Sequence, residues 1–332
     1  MYGFKAKVAP GDKRIVFKPS QDYEPGMSGP YKIAAFYRFA PLPDFRALQP
    51  PLLDALKALG ICGSVLLAEE GINGTIAGLP EEIDQALGAI AKITAISSLE
   101  PKFSFAGDKP FRRMKVRLKK EIVTIGNVRA NPNEKVGTYV EPADWNALIS
   151  APDVVVIDTR NDYEFGVGTF KGALDPQTES FSEFPLWVRE KLKAKPETRI
   201  AMFCTGGIRC EKASAFMLNE GFENVFHLKG GILKYLEQVP QEQSLWEGGC
   251  FVFDERVAVG HGLEVMDFTM CHGCLKPVSA GDRLSPLYEE GVCCPSCAAS
   301  LTPEQKASNR ERQKQVNLAS KRGAKHLGPV EG

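Results

Sequence analysis

Three patterns in the sequence predict a mixed α/β chain built in three parts. Between residues 31 and 125, strand-period and helix-period apolar segments follow one another in the order βαββαβ. Between 143 and 245, short continuous apolar runs alternate with helix-period segments, as in a parallel sheet buried on both faces. Beyond 246, two Cys-x2-Cys pairs stand nineteen residues apart, which predicts a small cysteine-rich, zinc-binding module.

Residues 1–30 mix Gly, Pro and charge and read as an irregular lead-in, with a short strand at 14–17. A strand is expected at 32–39. Phe45, Leu48, Leu52, Leu56 and Leu59 then recur at helical spacing up to Gly60. Strands at 61–67 and 72–77, a helix at 80–96 and a strand starting around Phe103 and Phe105 complete the order. This is the ferredoxin-like plan, which by itself names no function. Glu69 and Glu70 lie beside Gly71, Asn73 and Gly74. They read either as ligands for a substrate group or metal, or as the solvated tip of a hairpin, since Asn-Gly forms turns. Arg112, Arg113, Lys115, Arg117, Lys119 and Lys120 surround the apolar Met114, Val116 and Leu118. On a strand, that alternation places Arg113, Lys115, Arg117 and Lys119 on one face. Such a row is either a solvated edge that resists aggregation or a track for an RNA backbone.

Residues 126–142 are turn-rich and read as a connector. In the central domain, a helix is expected at 143–148, a buried strand at 154–157, a helix at 187–192 and a strand at 200–203. A helix at 211–219, a strand at 225–227 and a helix from 232 follow. An open parallel sheet binds its ligand at the carboxyl ends of its strands. Asp158 and Cys204 both fall at such ends. Asp158 either orients the loop around the site or pairs with Arg160.

Cys204-Thr205-Gly206-Gly207-Ile208-Arg209-Cys210 joins a strand to a helix. Amides of Thr205, Gly206, Gly207, Ile208 and Cys210 are placed to curl around an anion. The helix N-terminus and Arg209 add positive charge, so the Cys204 thiol should ionise readily. The bland alternative is a small buried hydrophobe. Cysteine phosphatases have a similar loop with one more residue between cysteine and arginine. The smaller ring favours a terminal sulfur on the cysteine over a phosphate. Cys210 either resolves an oxidised or persulfidated Cys204 or is buried in the first helical turn.

Asp158-Thr159-Arg160, residues 168–173, the Cys204 loop and Leu228-Lys229-Gly230-Gly231 together resemble a rhodanese domain. Many rhodaneses carry histidine where this chain has Thr169. With Leu67-Ala68-Glu69-Glu70-Gly71-Ile72-Asn73-Gly74-Thr75 ahead of it, Cys210-Glu211-Lys212-Ala213 closing the loop and a cysteine-rich tail behind, the chain resembles the tRNA wobble-uridine hydroxylase (TrhO) family from about residue 31 to its end. The resemblance implies oxygen-dependent hydroxylation of the wobble uridine (U34) of tRNA to 5-hydroxyuridine. It implies Cys204 as the required cysteine, molecular oxygen as co-substrate and tRNA as partner. The loop alone supports a persulfide-forming sulfurtransferase better. A non-catalytic tRNA- or protein-binding module is the third reading.

In the tail, Cys271, Cys274, Cys294 and Cys297 supply four thiolates, enough to close a structural zinc site, with His272 and Cys293 as alternative ligands. A polar helix is expected at 303–325, bearing Arg310 and Arg312 among its cations. It reads as a solvated helix or as a tRNA contact. The formal net charge is zero, so an RNA site must come from local basic patches. No nucleotide or haem motif is evident. A sulfur- or electron-donor protein is a further expected partner. The start of the chain lacks the apolar core of a secretory signal and no run is long enough to span a bilayer, so a cytoplasmic location without membrane contact is expected. Nine cysteines there point to metal and redox chemistry rather than a disulfide frame. The expected parts are 1–30, 31–125, 126–142, 143–245 and 246–332.

Overall fold

The computed structural model describes residues 30–107, 109–127, 129–254 and 256–322; the strand expected at 14–17 lies outside them. The chain forms two compact units. Among the described residues no helix is long and apolar enough to cross a membrane.

Among the described residues, the first unit takes in 30–38, Leu42–Ala68 and Ile72–Lys119. Its elements are β1 (Tyr31–Phe39), α1 (Phe45–Ala58), β2 (Cys62–Ala68), β3 (Gly71–Gly78), α2 (Pro80–Thr94), β4 (Lys102–Ala106) and β5 (Met114–Leu118). The sheet order β4-β1-β3-β2 is that of the ferredoxin-like plan, and β5 adds a parallel fifth strand beside β2. α1 turns Leu52 and Leu56 inward and α2 turns Ile83, Ala86 and Ile90, all fully buried. Glu82 caps α2 by accepting the Leu79 amide (2.9 Å). In β5, Met114 and Val116 are buried, Lys115 is half-buried and Arg117 is exposed, and the flanking Arg112, Arg113 and Lys119 are exposed. The alternation read from the sequence therefore covers Met114 to Arg117 on an edge strand, with Arg113 and Lys119 just beyond its ends.

The second unit takes in Phe39–Pro41, Glu69–Gly71 and the described residues from Lys120 to Arg322. Its elements are β6 (Thr138–Val140), α3 (Pro142–Ile149), β7 (Val154–Asp158), α4 (Asp162–Phe165), β8 (Gly168–Phe170), α5 (Phe184–Lys191), β9 (Arg199–Phe203), α6 (Ile208–Asn219), β10 (Asn224–Leu228) and α7 (Gly231–Gln238). β11 (Trp246–Gly248), β12 (Cys250–Phe251), β13 (Ala258–Val259), β14 (Phe268–Met270), β15 (Pro277–Ser279), α8 (Ala280–Arg283) and α9 (Pro303–Lys321) follow. The main sheet runs β6-β10-β9-β7, with every pairing parallel. Successive side chains of a strand point to opposite faces. Ile200 and Met202 accordingly enter one apolar cluster with Phe184, Cys210, Ala213 and Phe216. Ala201 and Phe203 enter the other, with Trp145, Phe170, Tyr235 and Trp246.

Several boundaries differ from the sequence reading. The expected connector 126–142 contains β6, which pairs in register with Phe226–Leu228 of β10. α6 starts at Ile208, not at 211, so Arg209 and Cys210 lie in its first turn. α5 starts at Phe184, with Pro185 in its first turn. The expected break at 245/246 runs through a packed core. β11 pairs antiparallel with β8, and the Trp246 ring meets Phe170 edge-on at 5.0 Å. These strands are only three residues long, too short for any period to show.

Phe170 is fully buried and its ring is edge-on to Phe203, Tyr235 and Trp246. Phe170→Ala should destabilise the second unit by about 3–5 kcal/mol, read as a lower urea midpoint with an unchanged slope.

Candidate active site

Cys204 stands where β9 ends. The carbonyls of Cys204 and Thr205 accept hydrogen bonds from the amides of Ile232 (3.0 Å) and Leu233 (3.2 Å), at the start of α7. That approach needs the Gly230-Gly231 pair. Gly231 has φ +69°, and a Cβ there would sit 2.5 Å from the Cys204 carbonyl oxygen. Gly207, at φ +105°, turns the chain back into α6. With the carbonyls drawn toward α7, the amides at the front of α6 are left to face the sulfur. The Gly207 amide donates to Cys204 Sγ at 3.1 Å. The first amides of a helix have no partner within it, which makes them ready donors.

Cys204 is 1 % exposed. Burial alone would push its thiol up. The hydrogen bond from the Cys210 thiol, the charge of Arg209 and the amides of Cys210 and Gly207 outweigh that and lower it to about 5. Cys210 moves well upward, through burial and through donating to its neighbour. The sulfur is thus out of solvent, packed in an apolar cluster, with the surrounding donors and Arg209 favouring its ionised form.

Arg209 does not act as a lone cation. Its Nη1 and Nη2 donate to Glu164 Oε2 (2.6 Å) and Oε1 (2.7 Å), and the Thr205 hydroxyl donates to Glu164 Oε1 (3.3 Å). Glu164 is fully buried; burial raises its carboxyl, and the Arg209 charge more than reverses this. The sequence reading missed Glu164. Its one signal was the spacing Asn161-x-x-Glu164: the carboxylate also accepts the Asn161 amide (3.1 Å) as the capping box of α4.

Asp158 and Arg160 pair with each other (2.6 Å), both side chains fully buried. The Thr169 hydroxyl donates to Asp158 Oδ2 (3.0 Å), and Arg160 donates to the Gly168 carbonyl and lies over the Trp246 ring. Their bonds tie β7 to β8. Between them in sequence, Thr159 reaches the loop, bonding the Phe203 carbonyl (3.0 Å) and meeting Cys210 Sγ at 3.5 Å. Glu70 is not a solvated tip. It pairs with the buried Lys212 of α6 (2.7 Å) and accepts the Ile122 amide, while Glu69 is exposed.

The Sγ atoms of Cys271, Cys274, Cys294 and Cys297 all lie within 4.8 Å of one another. The separations of Cys271 from Cys297 (3.8 Å), Cys274 from Cys294 (3.7 Å) and Cys294 from Cys297 (3.8 Å) match the edges of a tetrahedron. Thiolates about 2.3 Å from a central ion would be spaced in this way. Cys293 bonds instead to the Leu287 carbonyl, and His272 lies outside the cluster. Of the basic candidates, Arg310 is paired with Glu289 (2.6 Å) and Arg312 is exposed.

The ultraviolet thiolate absorbance lost on Cys204→Ser should titrate near about 5: protonated below that pH, ionised above it. Glu164→Ala should leave Arg209 a buried cation without its carboxylate and cost about 3–5 kcal/mol, read by denaturant unfolding.

The description "UPF0176 acylphosphatase like domain" matches residues 31–122, and "Rhodanese-like domain" matches residues 141–238. A protein of Brucella ovis named tRNA uridine(34) hydroxylase is 56% identical over 300 residues, 90% of this chain and 98% of that one. One of Brucella anthropi with the same name is 57% identical over 303 residues, again 90% and 98%. A solved rhodanese-related protein from Thermoplasma volcanium is 25% identical over 31% of this chain and 93% of its own, with a TM-score of 0.24. On the extent and identity of the Brucella matches, this chain belongs to the tRNA uridine(34) hydroxylase family.

Proposed function

We propose that this chain hydroxylates the wobble uridine (U34) of tRNA to 5-hydroxyuridine, with molecular oxygen as co-substrate and Cys204 as the reactive thiol. The observation that carries the reading is the match of more than half of all residues, over 90% of the chain, to proteins named for that reaction. The ionised Cys204 supports it chemically, because a thiolate rather than a thiol is the reactive form. In this reading Gly207 and Cys210 hold the sulfur's charge through their amides. Arg209 sets the local potential, and Glu164 fixes Arg209 in place. Thr205, Gly206 and Ile208 shape the loop. Asp158 and Arg160 support it from the neighbouring strand ends.

The reaction exchanges the C5–H of uridine for C5–OH. The tRNA backbone is held by local cations, since the chain has no net charge. Arg112, Arg113, Lys115, Arg117 and Lys119 along β5 form one such row, and Arg312, with Arg310, on α9 another. The protein works in the cytoplasm, where its tRNA substrate is. The four-cysteine cluster fits zinc in a closed structural role, with Cys271, Cys274, Cys294 and Cys297 as its ligands.

Deleting the gene should remove 5-hydroxyuridine from tRNA. The wild-type chain should restore it, and Cys204→Ala should leave it reduced by more than about a thousandfold. Full restoration by the alanine variant would remove Cys204 from the chemistry. Thiosulfate:cyanide turnover with unchanged tRNA would favour a sulfurtransferase instead. Metal analysis should find about one zinc per chain. A chelator that extracts it should expose the segment around residues 268–301 to protease.

A further inference from the structure

The Cys204 loop holds two thiols, and the reading above uses only one. Cys210 is the third residue of α6, fully buried, in the same apolar cluster as Cys204. Gly206 and Gly207 fold the chain back between them and bring the side chain and amide of Cys210 close enough to the Cys204 sulfur to lower its pKa. On its other side Cys210 Sγ meets the Thr159 hydroxyl at 3.5 Å, and that hydroxyl is itself bonded to the Phe203 carbonyl. The two sulfurs are thus held together in a site shielded from water.

We propose that Cys204 and Cys210 act as one dithiol that supplies the two electrons of the hydroxylation, with Cys210 the second catalytic thiol. This rests on Cys204 being the reactive thiol of the proposed function. Inserting one oxygen atom of dioxygen into a C–H bond requires two electrons for the other atom, and closing a disulfide releases two. The balance is uridine C5–H plus dioxygen plus the Cys204 thiolate, the Cys210 thiol and one proton, giving C5–OH plus one disulfide plus one water. The O–O bond breaks, with one atom going to uridine and the other to water. The S–S bond forms, and the Cys210 proton and one proton taken up from solvent leave in that water. The asymmetry of the pair suits this: Cys204 is the ionised partner and Cys210 keeps its proton until the bridge closes. A cellular dithiol reductant must then reopen the disulfide by exchange, so each turnover consumes one equivalent of such a reductant.

The test uses the full chain, reduced, freed of small thiols and mixed in air with tRNA from cells lacking the protein. Product should reach about one 5-hydroxyuridine per chain and stop, as a single two-electron store requires. After the free thiols are blocked and the chain is cut at Arg and Lys, residues 200–209 should be found joined to Cys210-Glu211-Lys212 in equal amount. Added dithiothreitol should restart turnover. Cys210→Ser should give no product without added thiol and regain it with dithiothreitol. Wild-type product formed while Cys210 stays free would overturn the proposal. So would an undiminished first turnover by Cys210→Ser, or a wild-type chain inert until thiol is added. A Cys204→Ser chain as active as wild type would instead overturn the underlying reading of Cys204. The wild-type stoichiometry decides the matter even where a variant fails to fold.

Discussion

The site depends on where two carbonyls point. Cys204 and Thr205 give theirs to the first amides of α7, across a Gly-Gly turn with no room for a side chain. A peptide unit has two polar ends, so drawing its oxygen one way helps turn the next N–H the other way. A helix that touches no reacting atom thus anchors the start of the loop, just before the Gly207 and Cys210 amides that hold the sulfur's charge. A donor set arranged before the charge develops needs no rearrangement when it does. Such an arrangement favours the ionised form of a sulfur that is almost wholly buried.

The same loop balances its charges. A buried guanidinium without a partner is costly, and Glu164 neutralises much of Arg209 while anchoring it in a two-point grip. Enough of its field remains to stabilise the thiolate. Asp158 and Arg160 repeat the arrangement nearby, and there the pair joins two strands. One buried ion pair thus tunes chemistry and the other holds architecture.

The parts of this arrangement that lie close together in the chain were legible in the sequence. The apolar runs ending at Asp158 and Cys204 marked strands buried on both sides, and the Gly-rich loop before helix-period residues marked an anion cradle. The spacing of the four tail cysteines was also readable, since one ion must be reached from two short turns. Partnerships across long stretches of chain were not. Glu164 reads as one acid among many until the fold brings Arg209 to it. The pairing of β8 with β11 rests on three residues each, and Thr159 shows no sign in sequence that its hydroxyl reaches Cys210. Glu70 was visible as an oddity, but its partner Lys212 was hidden among the apolar residues of α6.

That lysine has an evolutionary consequence. Its ammonium carries three hydrogens and meets three kinds of oxygen: Glu70, Glu121 and the Val123 carbonyl. Loss of either glutamate leaves the lysine one carboxylate, whereas loss of the lysine leaves two carboxylates facing each other with no cation between them. Position 212 is therefore the one of the three least open to change, because either glutamate can be lost while the lysine stays paired, but neither is paired once the lysine is gone.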